Sequence, residues 1–304
     1  MGRWGRRYRR WTVSTVLVLA VVAAAPAAAV MAAASTAGSH PEIGVVHTVT
    51  SSAQQTARAL WTPSRMAAAT PAPVPFTAGP AISPPPGTPS ATLFNGVPTV
   101  GALFFTTNGG VTHFCTASVV DSTNENLVLT AAHCVDPGTF VSNIEFVPGF
   151  HAGHRPYGAW VVKKIFVARG WANGQNPNLD FAFMTVTPPG RRPLQKVTGG
   201  LQLGIDRPYR RPIEVIGYNN TDHRPVECAT HSFEFRPDQM EFFCHGYRDG
   251  TSGGPWIVSY NPRYGTGVVI GVIGGFEQGG FLEWASYSAY FGRPALQLFQ
   301  QAGR

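Results

Sequence analysis

Charge is scarce in this chain of 304 residues: Asp, Glu, Lys and Arg together make up 13% of it. Basic residues number 23 against 16 acidic ones, a formal net charge of +7. That sign invites a nucleic-acid reading, and its placement removes the invitation. Five arginines fall at positions 3, 6, 7, 9 and 10, with no acid among them. Arg58 and Arg65 then stand against Glu42, and from residue 91 onward the two signs nearly cancel. No basic run with interleaved aromatics is left to track phosphates, so no nucleic-acid partner is expected. Cysteine is scarce too. The four residues include no Cys-x-x-Cys pair, which makes a metal site a weak reading. His151 and His154 form a His-x-x-His pair with no third ligand in view, and no metal is expected there. Helical periodicity is nearly absent before residue 293.

The N-terminus accounts for most of the charge. MGRWGRRYRRW leads into the apolar stretch VSTVLVLAVVAAAPAAAV at 13–30, followed by small residues with several Ala-x-Ala sites. That layout predicts a secretory signal peptide over 1–33. The stretch approaches spanning length. Its Ala-rich later half is weakly hydrophobic, which favours cleavage and no stable membrane association afterwards. Export permits disulfides, and Cys115, Cys134, Cys228 and Cys244 are read first as two bridges. Residues 34–90 are dominated by Ala, Pro, Ser and Thr, as in TPAPVPFTAGPAISPPPGTPS. Such a composition buries too little surface to offset chain entropy, so a disordered propeptide or linker is expected there.

From about residue 91 to 304 the pattern changes. PTVGALFF, VTHFCTASVV, NLVLTA, FVSNIEFV, YGAWVVKKIFVA, FAFMTV, PIEVIGY, GPWIVSY and GVVIGVIGGF are short, rich in β-formers and separated by turn residues. Many short strands with frequent turns predict an all-β barrel or sandwich. TPPGRRPLQKVTGG at 187–200 reads as a linker between halves, and RPALQLFQQA at 293–302 as a short amphipathic helix.

Three stretches carry chemistry. LTAAHC runs a strand into a turn bearing His133, NLDFAFMTV sets Asp180 before an apolar strand, and DGTSGGPW places Ser252 among glycines. Singly, each is more often structural. Together they supply a nucleophile, a base and a carboxylate. A serine hydroxyl is a poor nucleophile at neutral pH and needs an imidazole to take its proton. A buried carboxylate keeps that imidazole in the useful tautomer. Backbone N–H groups at a Gly-rich turn, here those of Gly250 and Ser252, can meet an oxyanion without side-chain obstruction.

Chain order separates rival folds. GTSGG also fits the G-x-S-x-G pattern, whose partners run Ser, acid, His. No histidine follows Ser252, which removes that reading. An order of Asp, His, Ser would need an acid upstream of His133, and Asp121 sits there in a DST turn with no supporting motif. The order His, Asp, Ser remains.

On TAAHC, LDFAFM and GTSGGPW the sequence resembles the trypsin/chymotrypsin superfamily of serine peptidases over roughly residues 95–304. The resemblance implies two antiparallel six-stranded β-barrels, about 95–190 and 200–290, with a C-terminal helix at about 293–302 and the site between the barrels. It implies a Cys115–Cys134 bridge beside the catalytic His133, worth about 3 kcal/mol in the entropic model. It also pairs Cys228 with Cys244. The intervals, 47 from His133 to Asp180 and 72 from Asp180 to Ser252, are similar to the compact bacterial branch that includes glutamyl endopeptidases.

The departures carry expectations of their own. Thr251 replaces the usual Asp before the nucleophile, so a freed N-terminus has no charged partner there. The substrate strand corresponds to Ile273, Gly274 and Gly275 rather than Ser-Trp-Gly, and an extended peptide is expected to pair along it. The absence of a histidine after Ser252 argues against a strong preference for Glu. The reading implied is a secreted, monomeric serine endopeptidase acting on polypeptides without a cofactor. The alternative is a catalytically silent secreted relative that binds a partner in the same cleft.

Overall fold

The computed structural model describes residues 44–74, 82–219 and 224–304. The signal peptide expected at 1–33 lies outside the described residues. Among the described residues no helix is long and apolar enough to cross a membrane.

Two antiparallel sheets of six main strands carry the fold. The first contains β1 (Val100–Thr106), β2 (Thr112–Val120), β3 (Leu127–Thr130), β4 (Ser142–Pro148), β5 (Trp160–Ala168) and β6 (Ala182–Thr187). Its order is β5-β4-β1-β2-β3-β6, and pairing of β5 with β6 closes it into a barrel. The second contains β7 (Arg211–Tyr218), β8 (Pro225–Arg236), β9 (Gln239–Phe243), β10 (Pro255–Asn261), β11 (Thr266–Val272) and β12 (Ala285–Ala289). Its order, β11-β10-β7-β8-β9-β12, repeats that of the first. Its end strands meet without a full ladder, through Gly274 N–H donating to Tyr287 O at 2.9 Å and Val272 N–H to Ser288 Oγ at 3.0 Å. The all-β, two-part architecture expected from the sequence is therefore the one observed.

The C-terminal helix spans Arg293–Ala302, with Pro294 in its first turn, where a missing N–H costs nothing. It buries Ala295, Leu298 and Ala302, and Phe299 meets Phe183 of β6 edge-on at 5.8 Å. The stretch 187–200, read as a linker, contains a short helix, Leu194–Thr198, anchored by buried Leu194.

The largest departure from expectation lies at 44–74, inside the segment expected to be disordered. Gly44–Thr48 is a strand that pairs antiparallel with β5. A helix, Ser51–Leu60, follows, capped by Thr50 Oγ1 accepting from Ala53 N–H. A second short helix, Pro63–Ala68, is capped in the same way by Thr62. Trp61 and Met66 are 2% and 1% exposed, and the Trp61 ring lies 5.3 Å from that of Phe104. The physical reason is on the barrel. Every position of β1 is buried, so the strand is covered on its outer face as well as its inner one. Helices this short do not persist alone in water. Burial of side chains such as Trp61, at about 1.5–3 kcal/mol each, offsets the cost of ordering them on the barrel. Mean composition over 34–90 hides these few anchors.

Glu145 on β4 lies close to this cover. It is 4% exposed, its Oε2 has no hydrogen-bond partner among the described residues, and the opposing charges that act on it are those of Arg155 and of Arg58 on the capped helix. Burial outweighs those charges and pushes its carboxyl from 4.5 up to about 7. The folded state therefore holds a proton that the unfolded chain releases near 4.5, so this group's contribution to stability falls as pH rises from 4.5 through 7. Glu145→Gln is neutral throughout. We expect urea denaturation to show its stability gain over the parent growing across that window and levelling above it. A gain that shrinks with rising pH would contradict the burial argument.

Candidate active site

β3, buried at every position, delivers the chain into a turn at Ala132–Cys134 that holds His133. The turn is fixed from two sides. Cys134 is bonded to Cys115 of β2, and Thr130 Oγ1 donates to Thr116 O at 2.8 Å. Asp180 sits where a short 3-10 turn, Pro177–Leu179, capped by Asn176, gives way to β6. It has no exposed surface.

The two side chains meet. His133 Nδ1 lies 2.8 Å from Asp180 Oδ2, and His133 N–H donates to Oδ1 at 2.9 Å. Gly275 N–H donates to Oδ2 at 2.8 Å. A carboxylate is acceptor-only, so Nδ1 must carry the imidazole proton, leaving Nε2 as a bare acceptor. Nε2 is buried and has no hydrogen-bond partner among the described residues.

Ser252 lies in the loop between β9 and β10 and is 3% exposed. Gly253, at φ +80°, brings this loop against the His133 turn: a Cβ there would sit 2.2 Å from Thr116 O and 3.1 Å from Ala131 N. Gly250, at φ +95°, is equally constrained, since a Cβ would fall 2.5 Å from the Phe114 ring. The loop orders itself. Thr251 Oγ1 donates to Arg248 O at 2.8 Å, Gly254 N–H to Thr251 O at 2.8 Å, and Gly253 N–H to Ile273 O at 2.7 Å. Thr251 is buried with its hydroxyl so engaged, while Asp249 is exposed. Among the described residues neither Gly250 N–H nor Ser252 N–H donates to any group.

Thr116, not singled out from sequence, bolts this loop to the first barrel. Its N–H donates to Ser252 O at 2.8 Å, its Oγ1 donates to Gly250 O at 2.9 Å, and the same oxygen accepts from Tyr218 N–H at 2.8 Å. Its one signal in sequence is its place beside Cys115.

Ile273–Gly275, expected as a substrate strand, lies just past the end of β11 and is not a strand. Its three N–H groups are already spent, on Gly254 O, Tyr287 O and Asp180 Oδ2 respectively. Ile273 O accepts from Gly253 and Gly275 O from Gln278, which leaves Gly274 O as the backbone group here that no described residue engages. The free edge expected there is taken up in holding Asp180 and the Ser252 loop together.

Beside Ser252 lies a cavity of about 310 Å³ lined by Thr251, Ile273, Gly280, Glu283 and Val74 among others. Glu283 is held by His245 Nδ1 at 2.7 Å and by Gly246 N–H at 2.9 Å. Burial opposes its charge. The two hydrogen bonds and the charges of His245 and Arg248 prevail and hold the carboxyl below its usual value. The second bridge joins Cys228 to Cys244. Among the described residues, the His, Cys, Asp and Glu groups close enough to hold a metal are Cys115, His133 and Cys134. Both sulfurs there are consumed by the bridge, so they are not available as thiolate ligands. The His151 and His154 rings lie 5.3 Å apart, tilted to one another, with His151 Nδ1 turned to Gly149 O.

A family model described as Trypsin matches residues 90–291. Among solved structures, the protease Anisep from Arthrobacter nicotinovorans is similar at 24% identity and a TM-score of 0.63, covering 70% of this chain and 99% of that one. A thermostable serine protease, AL20, from an extremophilic microorganism is similar at 25% identity and 0.61, covering 68% and 97%. A Glu endopeptidase matches at 14% identity and 0.56, covering 71% and 98%. No match is found among curated proteins.

The Thr116 contacts make a measurable claim. Thr116→Val strands Tyr218 N–H and Gly250 O in a buried setting, which costs about 1–3 kcal/mol. Thr116→Ser keeps the hydroxyl. We expect chemical denaturation to show that loss for valine and well under half of it for serine. Equal losses would mean that packing, not the hydroxyl, fixes the loop.

Proposed function

This chain belongs to the trypsin family and is a serine-type endopeptidase, and we propose that Ser252 is its nucleophile, His133 its general base and Asp180 the carboxylate that orients the base. The observation that carries the proposal is the buried imidazole gripped at Nδ1 by Asp180, its Nε2 without a partner among the described residues, on a turn against which Gly253, the neighbour of Ser252, is packed.

The chemistry follows from those atoms. Ser252 Oγ attacks the peptide carbonyl carbon as its proton passes to His133 Nε2. The carbonyl oxygen becomes an oxyanion, and the unspent N–H groups of Gly250 and Ser252 are the donors offered to it. The C–N bond then breaks, the leaving amine takes the proton from Nε2, and Ser252 is left acylated. Water attacks the ester, again giving its proton to Nε2, and the acid departs as Ser252 recovers its hydrogen. Among the described residues Nε2 makes no hydrogen bond in the resting geometry, and the scheme requires its contact with Ser252 Oγ to form as substrate binds. One chain supplies every group, so no second subunit or cofactor enters the scheme.

The substrates are polypeptides, and Gly274 O offers an acceptor to their backbone. Glu283 sets a negative charge at the cavity beside Ser252, which disfavours an acidic side chain there. The preference implied by the Glu endopeptidase neighbour is thus not carried over. Two bridges and the Arg-rich, then apolar N-terminus support action outside the cell.

Ser252→Ala and His133→Ala are each expected to lower kcat by about 10³-fold or more with the fold retained, and Asp180→Asn by a similar order. Parent kcat/KM should climb with pH as an imidazole base loses its proton, then level. Peptidase activity surviving in Ser252→Ala, or a rate flat from mildly acid to alkaline pH, would overturn the assignment.

A further inference from the structure

The segment 44–74 precedes the region matched by the family model, which begins at residue 90. It is nevertheless fastened to the first barrel, by strand pairing with β5, by buried Trp61 and Met66, and by Gln54 accepting from Thr187 Oγ1 at 2.6 Å. Its last turn of chain heads for the site. Thr70 and Pro71 pair parallel with His113 and Phe114, and Ala72 N–H donates to Phe114 O at 2.9 Å. Phe114 adjoins Cys115, and its ring is the wall against which Gly250 is confined. Two residues on, Val74 lines the same cavity as Ser252. The chain is next fastened on the second barrel, where His245 N–H donates to Pro89 O and Ala91 N–H to His245 O, each at 2.8 Å. The segment thus approaches from one barrel and is taken up again by the other, with Val74 at the Ser252 cavity in between.

We propose that residues 44–74 are a detachable inhibitory segment whose Thr70–Val74 end occupies the polypeptide-binding cleft beside Ser252. This rests on the reading of Ser252 as the nucleophile. A polypeptide must run past the nucleophile on both sides of the bond to be cut, and the Phe114 carbonyl on one side is already taken. Pro71 and Pro73 suit the occupant to its place: each fixes φ, so lying extended costs little entropy. Release needs one cut. Pro85, Pro86 and Gly87 are exposed in a turn, the kind of tip that proteases reach. After a cut there, only non-covalent contacts hold 44–74 in place. Small substrates that need only the Ser252 cavity are obstructed far less than polypeptides.

The test uses the full chain with a recognition sequence for a specific protease inserted between Pro86 and Gly87. In a Ser252→Ala background, binding of fluorescent unfolded casein is measured by anisotropy before cutting and after cutting and removal of the N-terminal piece. We expect at least tenfold tighter binding after removal. In the active chain, casein hydrolysis should rise at least tenfold, through KM more than kcat, while turnover of a small ester changes less than threefold. Ala72→Pro in the uncut chain, which deletes the N–H bonded to Phe114 O, should tighten casein binding several-fold without a cut. Unchanged casein binding both on removal and in Ala72→Pro would overturn the proposal. Absence of ester turnover in the cut active chain would instead refute the reading of Ser252, while the binding measurement still judges the segment.

Discussion

Asp180 has no contact with solvent and accepts three hydrogen bonds, two from His133 and one from the Gly275 N–H. The first donor residue belongs to one barrel and the second to the other, so a single carboxylate joins the two halves at the site. A buried carboxylate is tolerated only when its lone pairs are met by donors. That requirement fixes the imidazole tautomer and its orientation. It also holds the Ile273–Gly275 segment after β11 against the first barrel, and Gly253 N–H, bonded to Ile273 O, brings the Ser252 loop along with it. Thr116 completes the link from the opposite direction. The groups proposed to react therefore sit on turns and a loop held by hydrogen bonds and, at His133, by the Cys115–Cys134 bridge, which is what a preorganised site requires.

Much of this was legible in the sequence because the relevant physics is local. Alternating β-formers between turn residues give short strands whatever their partners, and Leu296, Leu298 and Phe299 mark the final helix by spacing alone. The glycines around Ser252 announced a backbone that side chains could not follow, and the positive φ at Gly250 and Gly253 is the reason. The order His133, Asp180, Ser252 narrowed the fold because so few arrangements put those residues together in that sequence.

What sequence did not yield depends on contacts between distant parts. The order of residues 44–74 is not written in their own composition. It comes from the outer face of β1 that they cover, from pairing along Lys164–Ala168 of β5, and from the anchors Trp61 and Met66 among many small residues. Thr116 looks like any strand threonine until Gly250 and Tyr218 are brought to it from more than a hundred positions away. The strand expected at Ile273–Gly275 ends at Val272, and the destination of the N–H groups beyond it was not legible. Glu283 gave no signal at all, since its role at the cavity depends on His245 and Gly246 folding back on it.

The central claim is that Ser252 becomes nucleophilic through the His133–Asp180 pair. It is tested most directly by reacting the protein with a fluorophosphonate and mapping the adduct by peptide mass spectrometry. One modified residue is expected, Ser252, with the adduct formed rapidly in the parent and at least a thousandfold more slowly in His133→Ala. An adduct on a different serine, or one that forms on Ser252 at an unchanged rate without His133, would contradict it.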